Sequence, residues 1–368
     1  MNKYESKQSS EPKIGRVLRN DFKQINFLDE LKREYSELKK FYIDDNKKAR
    51  LERMSRLGKW GHEILWIFKS MFLRLTPLRR LLVLFGIILI ISSHIVYTNE
   101  NHSVSDDKGL FGGILILFVL VLELKDKLLA KDELEAGRKL QQALMPESSP
   151  NVPGWSLWLF TRSANEVGGD LVDYLKIKNE KTAIVLADVA GKGLKAALLM
   201  AKLQASIRAL APDYDSLSKL GSKLHEIFHR DSLPGLFASM VYVELVPDSG
   251  ELKSINAGHL PPILLDGGGI HELPKGEPAL GLMEKFDYSE RTINLNTGDI
   301  FLAYSDGVTE AQNENGEFFG TARLHKIIAQ VKNLSAEGVG QSIVNYVDNF
   351  VGNASTFDDL SIIILKKL

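Results

Sequence analysis

The stretch from Glu166 to Gly193, EVGGDLVDYLKIKNEKTAIVLADVAGKG, decides how the C-terminal part of the chain is read. It carries two acidic turns, Gly168-Gly169-Asp170 and Asp188-Val189-Ala190-Gly191, joined by two apolar runs. Leu171 to Ile177 and Thr182 to Leu186 read as short β-strands, rich in β-branched and large apolar residues. Lys178 to Lys181 supplies the polar turn between them. An antiparallel pair of this kind brings Asp170 and Asp188 to the same end of a sheet. Asp173 is displaced along the first strand and stays outside the primary site. Glycines beside an acidic residue let the backbone come close, so that a carbonyl can join a carboxylate around a cation. Taken singly, each turn is equally well read as an ordinary acidic hairpin turn.

The chain has 368 residues, enough for more than one domain, and a net charge of -1. Residues 1–80 hold roughly nine more Lys and Arg than Asp and Glu, and the remainder is acidic. No nucleic-acid partner is expected. Cysteine is absent, which excludes disulfides, thiolate metal sites and a cysteine nucleophile together.

No signal peptide is expected, because residues 1–60 contain no continuous apolar segment. Phe27 to Arg56 has a helical pattern, and the segment 1–76 reads as basic, helical and cytoplasmic. Within it Ile64 to Leu73, with Trp60 and Trp66, reads as an amphipathic helix at a membrane surface. Two apolar runs follow, Leu81 to Tyr97 and Leu110 to Leu122. With Arg74, Arg79 and Arg80 before the first and Lys125 and Lys127 after the second, residues 77–124 read as a transmembrane helical hairpin. Both ends would be cytoplasmic, placing a two-pass protein in a bacterial inner membrane. Leu122 to Met145 reads as one helix ended by Pro146, with Leu124, Leu128, Ala136, Leu140 and Leu144 on one stripe. Residues 125–147 are therefore assigned to a coiled-coil stalk that pairs two copies as a homodimer.

The turn-rich segment Ser148 to Gly154 marks the start of the last domain, 148–368. Helices are predicted at Leu194 to Ala209, Ser216 to Phe228, Thr321 to Val331 and Gly338 to Val351. Strands are predicted at Phe237 to Leu245, Glu251 to Ala257, Pro262 to Leu265, Ile270 to Leu273, Tyr288 to Leu295, Ile300 to Tyr304 and Leu360 to Leu365. This grouping argues for an α+β class with antiparallel sheets and helices on their outer faces. Two further acidic turns sit at strand ends, Ser305-Asp306-Gly307 and Thr356-Phe357-Asp358-Asp359. An oxygen-only cluster of this type suits hard divalent cations rather than zinc. No P-loop occurs, and a zincin is not expected.

Five motifs then stand in order: Glu166 to Asp170, Asp188 to Gly193, Asn256 to Pro262 (NAGHLPP), Tyr304 to Glu310 (YSDGVTE) and Asp358 to Ser361 (DDLS). Together they resemble the SpoIIE/RsbU branch of the metal-dependent PP2C serine/threonine phosphatases, over about residues 136–368. The helix end Leu140 to Pro146 (LQQALMP) is similar to that family's pre-domain linker. The resemblance implies a PP2C-like β-sandwich flanked by helices, two divalent cations (Mn²⁺ or Mg²⁺) and hydrolysis of phosphoserine or phosphothreonine by a metal-activated water. It further implies that Asp188 bridges both ions and the Val189 carbonyl completes one shell. Asp306 and Asp358 would ligate the first ion and Asp170 would help hold the second. Asp188 and Asp306 are accordingly the expected catalytic residues, and Asp359 ranks below Asp358. His259 is expected to be structural. The implied substrate is a phosphorylated anti-sigma-factor antagonist of the STAS type in a partner-switching pathway. The alternatives are an inactive PP2C-like scaffold and a GGDEF-type cyclase. The cyclase is disfavoured because Leu171-Val172 follow Gly168-Gly169-Asp170 and because Asp188, Asp306 and Asp358 would then have no role.

Overall fold

The structure is a computed structural model that describes residues 54–93 and 108–368, except 147, 179, 233, 234, 355 and 357, and part of 32–52. Its internal contacts divide the chain into two units, Met1–Lys127 and Leu128–Leu368.

In the second unit, ten strands form two five-stranded antiparallel sheets. One sheet has the order β2-β3-β4-β5-β8, from Asp170–Lys176, Thr182–Val189, Ala238–Leu245, Glu251–Ala257 and Arg291–Asn294. The other has the order β1-β10-β9-β6-β7, from Trp155–Arg162, Leu360–Lys367, Ile300–Tyr304, Ile263–Asp266 and Gly269–Glu272. β3 shows why its strands are apolar along their whole length. Side chains alternate between the two faces of a strand. Ala183, Val185, Ala187 and Val189 pack outward under helices α5 (Leu194–Leu210) and α6 (Leu217–Asp231). Ile184 and Leu186 pack inward, against Phe301, Ala303, Ile363 and Leu365 of the other sheet. That second sheet is covered in turn by α8 (Gly320–Val331) and α9 (Ala336–Val351). The result is a four-layered α+β sandwich with three apolar layers. α9 lies directly on β1, since a Cβ at Gly340 would overlap the Trp158 ring.

Local signals set the helix starts. Ser216 Oγ accepts the Lys219 N–H to open α6, and Ser335 Oγ accepts that of Gly338 to open α9. The predicted strand over Tyr288 to Leu295 is shorter, Arg291–Asn294, because Tyr288 turns inward. Its hydroxyl donates to Pro278 O at 2.7 Å and its ring lies against His225. β1 was not anticipated, and the Asp306 turn is itself a one-turn helix, α7 (Asp306–Thr309).

The first unit contains α1 (Asp45–Glu52), α2 (Arg56–Arg74), α3 (Pro77–Ser93) and the start of α4 (Lys108–Leu144). The predicted surface helix Ile64 to Leu73 is part of α2. One face of α2 is buried, with Ile67 packed on Ile43 and Leu51, while Trp60, Leu65 and Phe68 are exposed. The expected transmembrane hairpin is not borne out, because no helix among the described residues is long and apolar enough to cross a membrane. α3 has 17 residues. At 1.5 Å per residue that is about 26 Å, against about 30 Å of hydrocarbon. α4 reaches Glu123, Lys125 and Asp126 soon after its apolar run. The proposed external loop lies mostly in 94–107, outside the described residues. What remains is a close helix pair. Gly86 and Gly112 face each other with no room for a Cβ on either, and Arg79 pairs with Glu123 at 2.6 Å and Asp126 at 2.7 Å. α4 is continuous through the expected stalk and ends just before Pro146.

Candidate metal centre

The β2–β3 ladder pairs Asp170 directly with Asp188. Cross-strand partners share a face, and both residues have the parity of Val172, Ile184 and Leu186, which point between the sheets. Both carboxylates therefore stand at the open end of the sandwich. The other sheet delivers its acidic turns to that end. β9 and β10 pair at Tyr304↔Ile362, so the exit of β9 into Asp306 and the entry to β10 from Asp358 and Asp359 are neighbours.

Asp359 holds the two sides together. Its Oδ1 accepts the Ala164 N–H at 2.8 Å, and its Oδ2 accepts those of Gly169 at 2.7 Å and Asp170 at 3.3 Å. It is a clamp on the turn carrying Asp170. The Ser305 hydroxyl donates to Asp359 O and accepts the Ser361 N–H. Gly307 is required here, because a Cβ would overlap Asp359 O. At Gly169 a Cβ would sit 3.2 Å from Val189 O and 3.4 Å from Asp188 Oδ1, crowding two of the expected donors.

The electrostatics are those of like charges forced together. Burial foremost, then the Asp188 charge, pushes the Asp170 carboxyl well above the usual carboxylate range. Asp170 is buried, and its Oδ2 has no hydrogen-bond partner. Asp188 is pushed up to about 6 by burial, then by Asp306, Asp358 and Asp359, with Lys192 opposing. Asp306 is raised by burial and then by Asp358 and Glu310. Lys192 Nζ lies 2.9 Å from Asp358 Oδ2. Among the described residues no three His, Asp or Glu side chains converge closely enough to hold an ion. Nevertheless the donor chemistry fits a hard divalent cation: oxygen donors only, one buried carboxylate oxygen unpartnered, and glycine-made space beside a carbonyl.

Asp173 and His259 are each bonded within the fold. Asp173 lies under α5, where Arg208 makes two bonds to it at 2.7 Å and Gln204 one at 2.9 Å. His259 is buried, and burial lowers its pKa to about 4. The neutral ring donates from Nε2 to Tyr304 O at 3.1 Å and accepts at Nδ1 from Ser239 at 2.7 Å. Ser239 pairs with Asp188 across β3–β4. His259 thus ties the strand beside Asp188 to the strand leading into Asp306, and serves as a structural cross-tie. One residue was missed: Gln141 of α4. Its buried amide donates to Gly168 O at 2.8 Å and accepts the Gly168 N–H at 3.1 Å, gripping the Gly168-Gly169-Asp170 turn. The linker-like motif Leu140 to Pro146 was the available signal.

The chain matches the family described as Stage II sporulation protein E (SpoIIE) over residues 178–367, more than half its length, and it belongs to that family. Protein IcfG of Synechocystis sp. is 26% identical over 70% of this chain and 46% of its own length. Phosphoserine phosphatase RsbU of Bacillus subtilis is 27% identical over 64% of this chain and 70% of its own. The chain thus spans less than half of IcfG. Among solved structures, the SiaA-PP2C domain of Pseudomonas aeruginosa superimposes with a TM-score of 0.57 at 20% identity, over 66% of this chain and 98% of that one. The fold is that of a PP2C domain.

The raised Asp188 pKa fixes a sign for stability. Between pH about 4 and about 6 the folded protein holds a proton that the unfolded chain has released, so this group's stabilisation is lost as pH rises. His259, with a lowered pKa, contributes the opposite slope in both wild type and an Asp188 variant. In EDTA, Asp188→Asn should therefore raise the melting temperature more at about pH 7.5 than at about pH 4.5. An increment that is equal at both values, or larger at the lower one, contradicts the raised Asp188 pKa that burial and the neighbouring carboxylates produce.

Proposed function

We propose that this chain is a metal-dependent protein-serine/threonine phosphatase. The reading rests above all on the ladder that sets Asp170 opposite Asp188 at the sheet end where Asp306 and Asp358 also arrive. Two divalent cations, Mn²⁺ or Mg²⁺, would be held by Asp188, the Val189 carbonyl, Asp306, Asp358 and Asp170. Bound there, they supply the Lewis acidity for in-line attack of water on a phosphoserine phosphorus. Asp188, opposite Asp170 in the ladder, would contribute to holding both ions. Asp359 and Gln141 fix the backbone of the turn that carries Asp170, and His259 keeps β4 and β9 in step. With no cysteine in the chain, no thiol phosphoenzyme forms.

RsbU carries the name phosphoserine phosphatase, which supports a phosphoserine protein as substrate. Of such proteins, the substrate we propose is a STAS-type anti-sigma-factor antagonist in a partner-switching pathway. The test is phosphate release from a phosphoserine protein by the full chain with Mn²⁺ and with EDTA. Asp306→Asn should keep the fold and lower turnover by more than about 100-fold. Near-wild-type turnover in the folded variant contradicts the assignment, and Mn²⁺ binding without turnover in wild type leaves an inactive scaffold.

A bacterial inner-membrane location is supported by the outward faces of α3 and the first part of α4. Leu81, Phe85, Ile88, Ile91, Phe111, Leu117 and Phe118 are all more than half exposed there. A homodimer through the stalk is supported by Leu124, Leu128, Leu140 and Leu144, large apolar side chains exposed on α4. Deleting 77–124 should move the protein from the membrane pellet to the supernatant, where it sediments as a dimer. Retention in the pellet contradicts the lipid anchor, and a monomer contradicts the stalk pairing.

A further inference from the structure

Lys192 pairs with a residue that is itself an expected ligand, Asp358. It stands between Gly191 and Gly193, with φ of 114° and 73°, in the turn that leads from β3 into α5. Its Nζ lies 2.9 Å from Asp358 Oδ2, and both side chains are partly open to solvent, at 46% and 38% exposed. The same cleft is lined by Asp188, Asp359 and Gly169. We propose that Lys192 and a divalent cation are alternative partners of Asp358, so that Lys192 sets the concentration at which the centre loads. The proposal rests on the reading of this cluster as a metal centre.

The argument is one of exclusion by charge. A carboxylate oxygen that accepts from an ammonium cannot also bind a hard cation at about 2.1 Å without bringing two positive charges into contact. Asp358 Oδ1 already accepts the Asp359 N–H at 3.0 Å, so for Asp358 to take up an ion through Oδ2 the pair must open. A flexible lysine on a glycine-flanked turn opens it by rotating its stem, with no change in the strands. In the metal-free protein the ammonium offsets part of the repulsion among Asp188, Asp306 and Asp358. In the loaded protein that task passes to the ions. Lys192 is therefore a positioning residue that acts through Asp358.

The test is direct titration of Mn²⁺ into the full chain, following free Mn²⁺ by electron paramagnetic resonance. Lys192→Gln should bind about fivefold tighter than wild type, the scale of one partly exposed ion pair. Lys195→Gln makes the same charge change at an exposed position three residues along and should stay within about twofold of wild type. Lys192→Arg retains the cation and should remain with wild type. Metal-free Lys192→Gln should also melt at a lower temperature than wild type, with the gap closing at saturating Mn²⁺. Equal or weaker binding in Lys192→Gln overturns the proposal while leaving the metal centre in place. Binding tightened equally by Lys195→Gln overturns it as well, by assigning the effect to net charge. No Mn²⁺ binding in any variant, wild type included, overturns both the proposal and the metal centre.

Discussion

An antiparallel ladder puts directly opposed side chains on one face, and here it opposes Asp170 to Asp188. Like charges in that relation destabilise a sheet. The pair is also turned inward, toward the layer that elsewhere holds Ile184, Leu186 and Phe301. Much of what surrounds it answers that cost. Backbone N–H groups of Ala164, Gly169 and Asp170 are spent on Asp359, and Ser305 bridges Asp359 to Ser361. Lys192 supplies a countercharge at Asp358. A protein selected for stability alone would place apolar residues at this sheet end. Function explains the exception.

The surroundings also show how position at this end is controlled. Gln141 grips Gly168 from the linker helix, and Gln204 of α5 donates to Leu144 O at 2.7 Å and to Asp173. The end of α4 is thereby bonded both to the turn bearing Asp170 and to the helix above β2 and β3. On the far side of the sandwich His259 joins Ser239 to Tyr304. These polar ties run between elements that are distant in sequence, and each ends within a few residues of an expected ligand.

Much of the fold was legible because it rests on local signals. The β2–β3 hairpin follows from two apolar runs around Lys178 to Lys181, and α6 follows from its Ser216 cap. The acidic residues stood out as a set, because four predicted strand ends carry them, although each turn alone reads as an ordinary hairpin turn. Three features were not legible. Gln141 and Asp359 act on backbone groups of remote segments, and neither the Leu140 to Pro146 motif nor the Asp358-Asp359 turn shows which groups those are. Tyr288 carries strand-like chemistry but is drawn inward to Pro278 and His225, shortening β8. β1, WSLWLFTR, is half-buried along most of its length and shows no clean alternation. The apolar segments near the N-terminus were legible in composition, yet α3 is too short for a crossing and α4 is not apolar over enough of its length.

The central claim is that Asp188 lies at the middle of a two-ion centre built from four acidic strand ends. Anomalous diffraction from crystals grown with Mn²⁺ tests it most directly. The account predicts two manganese peaks, each about 2.1 Å from an Asp188 oxygen, with Asp306 and Asp358 on one of them. Manganese bound elsewhere, with no peak at coordination distance from Asp188, would contradict it.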